Sequence, residues 1–112
     1  MRMIEEIRNS LRMDIRASSQ GVEYLDAVIQ RSDLQLLDSL LMKHLGAAAR
    51  GPGTEGALPT GIQSLLDSMG GLRADQSFYY KQGKDGSVVF ALLWPWASDP
   101  EKITLKAGNG SI

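Results

Sequence analysis

The stretch from Gln76 to Trp96, QSFYYKQGKDGSVVFALLWPW, constrains the fold of this chain more than any other segment. Within it, Asp85-Gly86 separates two runs of β-branched and aromatic residues, which is the strongest short-range signal of a β-hairpin. Every aromatic residue of the chain except Tyr24 lies in this stretch. The remaining segments must therefore supply the apolar partners with which this hairpin forms a core.

The register of the hairpin follows from its turn. A three-residue loop that ends at Gly86 with positive φ predicts that Phe78 faces Leu92. Tyr80 then faces Phe90 across the strands. A two-residue loop would shift the register by one residue and move Phe78 and Tyr80 to the other face. We favour the three-residue loop because it segregates the bulky side chains onto one face, here called the ring face: Phe78, Tyr80, Val88, Phe90, Leu92, Trp94 and Trp96.

The rest of the predicted sheet lies around this hairpin. The run from Val88 to Leu93 is apolar on both faces in either register, as is typical of a central strand. Pro95 cannot donate a ladder hydrogen bond, so pairing should weaken there. The segment Lys102–Lys106 alternates between apolar and polar residues, which predicts a third strand at the sheet edge with one solvated face. We expect the tail 108–112 to be frayed.

The first half of the chain carries helical patterns. Ile4, Ile7, Leu11 and Ile15 recur at helical spacing and predict a helix over 3–16. Residues 10–16 also alternate, so a strand remains open for that segment. A short second helix is predicted from Val22 to Ile29 by the same spacing.

Two more helices are predicted with clearer boundaries. The third runs from Asp33 to Leu45 and is closed by Gly46. The fourth carries its apolar stripe from Ile62 to Met69 and stops at Gly70. Between them lies the Gly/Ala-rich loop 46–57, GAAARGPGTEGA, which has no apolar period.

These elements predict an α+β fold with about four N-terminal helices packed on one face of a C-terminal three-stranded antiparallel meander. The chain, 1–112, is expected to form a single domain, with a helical part over about 3–70 and a sheet over about 76–107.

Composition excludes several functional classes. The chain has no cysteine, which rules out disulfides, a thiolate nucleophile and a zinc site built on sulfur. Its formal net charge is −1 and it has no basic block, so nucleic acid is not an expected partner. No apolar run approaches the roughly 18 residues of a membrane span, and the N-terminus lacks the apolar core of a signal peptide. We therefore expect a cytoplasmic protein with no membrane partner.

His44 is the only histidine and the only residue singled out for titration chemistry. Its helical position falls inside the apolar stripe, where a pH-sensitive or ligand-binding histidine would lie. A core-edge histidine favoured by the helix C-terminus fits the same position. Neither histidine nor carboxylates show the spacing of a catalytic triad or a metal site. We therefore predict no catalytic, cofactor or metal residues and no enzyme activity.

The main functional hypothesis comes from a shortage of helices. A few short helices can cover one face of three strands, and the face opposite the ring face would then be left for a second copy. This predicts a non-catalytic, self-associating interaction or adaptor domain that forms a homodimer and can take a protein partner. The candidate interaction surface is Tyr79, Val89, Ala91, Leu93, Trp94 and Trp96. The first alternative is a small-molecule binding domain with a pocket between sheet and helices, closed by loop 46–57.

The order of elements gives a second alternative. Three helices followed by a hairpin with a glycine-tipped loop resembles the architecture of winged-helix DNA-binding domains, which would imply a nucleic-acid binder. The helix before the hairpin, GIQSLLDSMG, contains no Lys or Arg to contact bases or phosphates, which departs from that family.

Overall fold

The fold was analysed in a computed structural model that describes residues 2–16, 24–46, 48–49, 58–68, 76–83 and 85–111. Along the chain the elements are α1 (Arg2–Ser10), β1 (Met13–Ile15), β2 (Tyr24–Gln30), a 3-10 turn (Arg31–Asp33), α2 (Leu34–Leu45), α3 (Thr60–Ser68), β3 (Ser77–Gln82), β4 (Ser87–Pro95) and β5 (Lys102–Ser111).

The strands form one antiparallel sheet in the order β1-β2-β5-β4-β3. An α+β fold with an antiparallel sheet is thus confirmed. The more detailed prediction, about four helices on one face of a three-stranded meander, is wrong: the described residues contain three α-helices and five strands. Strands β1 and β2 separate α1 from α2, so the helical order that resembled a winged helix is not the order of this fold.

The hairpin that organises the sheet has the predicted register. Phe78 pairs with Leu92 and Tyr80 with Phe90. Gly86 has a φ of 80°, a backbone conformation that residues with a Cβ rarely adopt. β4 lies between β3 and β5, which confirms it as an interior strand.

The second predicted helix, from Val22 to Ile29, is wrong, because its described part is strand β2. Leu25, Ala27 and Ile29 alternate toward one face and are completely buried there. Asp26 and Val28 point to the other face and are also buried, at 5% and 8% exposure. Because both faces of β2 are buried, apolar and polar residues do not alternate along it as they do in a half-exposed strand. Its apolar residues therefore also match helical spacing.

The first predicted helix, over 3–16, is shorter than predicted. α1 ends at Ser10, and the alternating segment, for which the sequence allows helix or strand, is strand β1, which pairs with residues 27–29 of β2. Arg16 continues this pairing, since its backbone N–H donates to the carbonyl oxygen of Asp26 at 2.7 Å.

β5 is also longer and more central than predicted. It pairs with β2 on one side and β4 on the other, so Lys102–Lys106 is not an edge. The prediction of a frayed tail over 108–112 is wrong for its described part, because residues 108–111 continue the strand, with Gly108 opposite both Tyr24 and Phe90. A Cβ built on Gly110 would lie 2.9 Å from a terminal carbon of Leu65, so glycine lets α3 pack closely on β5 here.

Helices cover both faces of the sheet and create two apolar cores. Helices α1 and α2 pack on the face that includes Ala91 and Leu93, here called the α1–α2 face; its fully buried side chains include Ile4, Ile7, Leu25, Ile29, Leu37, Leu41, Ile103 and Leu105. Helix α3 packs on the ring face, where its buried Ile62 and Leu66 meet Phe78, Val88, Phe90 and Leu92.

The third and fourth predicted helices correspond to α2 and α3. Gly46 follows α2 with a φ of 83°, and its N–H donates to the Met42 carbonyl oxygen. The predicted helix stop after Met69 lies outside the described residues, as does most of loop 46–57. Of that loop, Ala49 donates its N–H to the Phe78 carbonyl oxygen at 2.9 Å and so occupies part of the outer edge of β3.

Candidate functional site

An open cleft of about 470 Å³ lies between the start of α2 and the sheet. It is lined by Arg31 and Ser32 from the 3-10 turn, Leu34, Gln35 and Asp38 from α2, and Ser77, Tyr79 and Leu93 from the sheet. This volume is within the range of small-molecule sites, which are concave, largely apolar and furnished with a few polar groups.

Local geometry explains why these side chains converge. Ser77 pairs with Leu93 in the β3–β4 ladder, so both point to the α1–α2 face, together with Tyr79 two residues further along β3. Residues four apart lie on the same side of a helix, which aligns Leu34 and Asp38 above them. The cleft is therefore the place where α2 begins and the α1–α2 face meets solvent.

A buried tyrosine and a half-buried carboxylate form the polar centre of one wall. The Tyr79 hydroxyl donates a short hydrogen bond to Oδ1 of Asp38. Burial raises the pKa of Tyr79 far above its usual value, and the hydrogen bond to Asp38 raises it further. The phenol thus keeps its proton and acts as a fixed donor, which orients the carboxylate and ties α2 to β3.

Arg31 supplies the positive charge of the cleft and is anchored from behind. Its Nε donates to the Pro100 carbonyl oxygen at 2.5 Å, and its backbone N–H donates to the carbonyl oxygen of Glu101 at 2.8 Å. The turn before β5 is itself held by Asp99, which accepts the Glu101 N–H at 3.1 Å. These contacts occupy only one of the five guanidinium N–H donors.

His44 lies at the other end of α2, away from the cleft. Its Nε2 is 2.8 Å from Oε2 of Glu6, and Lys43 Nζ is 3.0 Å from Oε1 of the same carboxylate. These two contacts, the His44 contact first, lower the pKa of Glu6. His44 therefore helps to hold α1 against α2, and its role as a pocket or pH-sensitive residue stays a prediction.

The candidate interaction surface is divided between the two faces of the sheet. Tyr79, Ala91 and Leu93 lie on the α1–α2 face and are only 4%, 0% and 3% exposed. Val89 packs at the margin of the same core. Helices α1 and α2 cover this face, although Tyr79 and Leu93 also reach the cleft wall, and its role as an interaction surface stays a prediction.

Trp94 and Trp96 extend from the end of β4, and both are half-buried. Trp96 Nε1 donates to Thr104 Oγ1 at 2.8 Å, and Lys102 Nζ lies 5.2 Å from the Trp96 ring centre. Lys106 Nζ lies 4.4 Å from the Trp94 ring centre. In each of these cation–π contacts, a lysine of the same chain lies over one side of a tryptophan ring.

Sequence reasoning missed most of the cleft. The predicted interaction surface includes Tyr79 and Leu93, whereas no predicted site includes Arg31 or Asp38. A signal for Asp38 did exist: it lies four residues after Leu34 and one after the fully buried Leu37, so a carboxylate there borders the apolar stripe of α2.

Other chemistry finds little support in the described ranges. They contain no group of three or more His, Asp or Glu side chains that could hold a metal ion. None of the helices in this part of the chain combines the length and apolarity needed to cross a bilayer. Comparisons of the chain with protein-family models, with curated proteins and with solved structures gave no match.

Proposed function

We propose that this protein is a small-molecule binding domain whose site is the cleft between α2 and the sheet. The observation that carries the proposal is the Tyr79–Asp38 pair, a buried hydroxyl that orients a carboxylate in the wall of a 470 Å³ cleft. A structural hydrogen bond alone would not need a cleft beside it. Convergent polar groups in a concave, partly apolar pocket are the usual features of a ligand site.

The other lining groups support the same function. Leu34 and Leu93 provide an apolar wall, and Ser32, Ser77 and Gln35 provide neutral donors and acceptors. Arg31 adds a cation that is already held in place by Pro100, so little side-chain freedom would be lost on binding.

Self-association remains a separate prediction. It expects a sheet face without helices, whereas in this fold α1 and α2 cover one face and α3 packs on the other. The mass of the particle in solution at micromolar concentrations tests it: a dimer predicts twice 12.2 kDa.

Binding in the cleft can be tested by ¹H–¹⁵N NMR with a panel of amino acids, carboxylates, amines, sugars and nucleoside monophosphates. At about 10 mM, a ligand with a Kd of about 1 mM would nearly saturate the site. We expect at least one class to shift the amides of Ser77 and Leu93 in a saturable way. If no class does so, the proposal is refuted.

A blocked cleft provides the control. Gln35 is exposed and lines the cleft, so Gln35→Trp should fill it and abolish the shifts. Met42 is 48% exposed on the same helix and lies outside the lining, so Met42→Trp should bind like the wild type. Equal binding by both variants would locate the ligand elsewhere.

A further inference from the structure

We infer that the ligand of the cleft is a small zwitterion, an amino acid or a dipeptide, whose ammonium group meets Asp38 and whose carboxylate meets Arg31. This inference rests on the proposed function and specifies its ligand class. Its starting point is that two opposite charges line one cleft without pairing.

Asp38 has a neutral partner only. Among the described residues, its side chain accepts one hydrogen bond, from the Tyr79 hydroxyl, and it forms no ion pair. An ionised carboxylate has about four lone-pair positions, so the Asp38 carboxylate can accept further donors. A half-buried carboxylate without a cation favours a ligand that brings one, and an ammonium group offers three donors to it.

Arg31 is exposed and keeps guanidinium donors for an anion. In the described part of the chain its guanidinium donates only to the Pro100 carbonyl oxygen, and it has no carboxylate partner. The remaining donors form a planar fork that suits a carboxylate in a bidentate arrangement. The cleft therefore offers one anchored site for an anion and one for a cation.

The two charged residues come from different elements, the 3-10 turn and α2, and among the described residues no ion pair joins them. Arg31 begins the 3-10 turn and Asp38 lies seven positions later in α2, so rises of about 2.0 Å and then about 1.5 Å per residue separate their Cα atoms by roughly 12 Å. A ligand must span part of this distance. With a charged hydrogen bond of about 2.8 Å at each end, a single amino acid of about 3.5 Å reaches about 9 Å and a dipeptide of about 7 Å reaches about 13 Å, so both lengths are comparable with this separation.

The cleft also has apolar lining that suits a hydrocarbon side chain. Leu34 and Leu93 supply it, and Ser77 lies beside Leu93 in the β3–β4 ladder. A zwitterion with an aliphatic side chain would thus match the cleft in its charges and in its apolar part, whereas a sugar would leave both charges unpaired.

The test uses the full-length protein with probes that differ by one charge. L-leucine and glycyl-L-leucine are the zwitterions; their N-acetylated forms lack the ammonium group and their C-terminal amides lack the carboxylate. Affinities come from the amide shifts of Ser77 and Leu93. We expect at least one zwitterion to bind about tenfold or more tightly than both of its single-charge derivatives, because each lost contact involves a charged group.

Charge-neutral variants identify the contacts. Asp38→Asn keeps an acceptor for Tyr79, so it should weaken the zwitterion and the amide by about tenfold and leave the acetylated form unchanged. Arg31→Gln should weaken the zwitterion and the acetylated form and leave the amide unchanged. Glu5→Gln and Arg2→Gln, which change the same charges at exposed positions of α1, should have no effect.

The outcomes separate the two proposals. If panel compounds occupy the cleft but an acetylated or amidated probe binds as tightly as its zwitterion, the ligand class is refuted and the proposed function stands. Unchanged zwitterion affinity in both Asp38→Asn and Arg31→Gln refutes the class in the same way. If no compound occupies the cleft, both proposals fail. The two zwitterions together show whether one residue or two fill the site.

Discussion

Removal of the Tyr79 hydroxyl tests whether the cleft wall is held by the bond that the structure shows. Tyr79 is 4% exposed and its hydroxyl donates to Asp38, which is half-buried. Hydrogen bonds to charged groups contribute about 1.5–3 kcal/mol. We expect Tyr79→Phe to cost about 1.5 kcal/mol of unfolding free energy, the lower end, because water can reach the carboxylate and replace part of the bond.

Asp38→Ala should be more costly than its helix propensity suggests. Alanine gains about 0.5 kcal/mol as the better helix former, but the Tyr79 hydroxyl then loses its acceptor, at about 1–3 kcal/mol with the lower end expected because the open cleft admits water. In the double variant the propensity gain cancels from the cycle, which isolates the interaction between the two side chains. We expect a coupling free energy of about 1–2 kcal/mol.

Urea unfolding is a suitable assay. With a slope of about 1.5 kcal/mol per molar urea, a loss of 1.5 kcal/mol moves the midpoint by about 1 M. Tyr80 provides the control: it is the next residue, lies half-buried on the ring face, and its hydroxyl has no hydrogen bond within the described residues. Tyr80→Phe should change stability by less than about 0.5 kcal/mol. Equal effects of the two substitutions, or a coupling near zero, would refute the role of the Tyr79–Asp38 bond.

Two further predictions concern the packing of the helices. The lowered pKa of Glu6 stabilises the fold above its unperturbed pKa of 4.5, and this stabilisation is lost as the pH falls through the folded-state pKa. The free energy of unfolding, measured at several acidic pH values, should lose this pH dependence in Glu6→Gln and retain it in Glu5→Gln. Gly110→Val should lower the unfolding free energy by about 0.5–1.5 kcal/mol, measured in urea, because its Cβ would meet the terminal carbons of Leu65 and push this half-buried side chain from its rotamer. Leu65→Ala in the same chain should recover part of the loss, and no recovery would refute the close packing of α3 on β5.

The parts of the fold that sequence predicted are those set by near neighbours. The register of the Phe78–Leu92 hairpin follows from one turn and one alternation, and α2 and α3 follow from stripes that repeat every three to four residues. β2 lacked such a local signal because its residues are buried on both faces of the sheet. Asp26 and Val28 are buried on the ring face, and Leu25 and Ala27 are buried on the α1–α2 face. Its pattern depends on partners that only the folded sheet provides.

The glycines near the C-terminus show the same limit in a different way. Gly108 and Gly110 indicate a flexible tail when the sequence is considered alone, since glycine destabilises strands. In the structure they continue β5 between its two neighbours, and the missing side chain makes room for Leu65 of α3. Whether a glycine weakens a strand or allows close packing depends on what lies above it.

The cleft depends on distant contacts throughout. Tyr79 and Asp38 are 41 positions apart, and Arg31 and Pro100 are 69 apart. Neither pair has a spacing that a motif could record, because each is created by the way α2 crosses the sheet and the turn before β5 returns to the start of α2. The order β2-β5-β4-β3 brings that turn beside the 3-10 turn, since Gln30 pairs with Lys102 at the end of the β2–β5 ladder. An anchored cation and an oriented carboxylate thus reach the same cleft because of sheet order, and a change in that order would separate them even if every residue were retained.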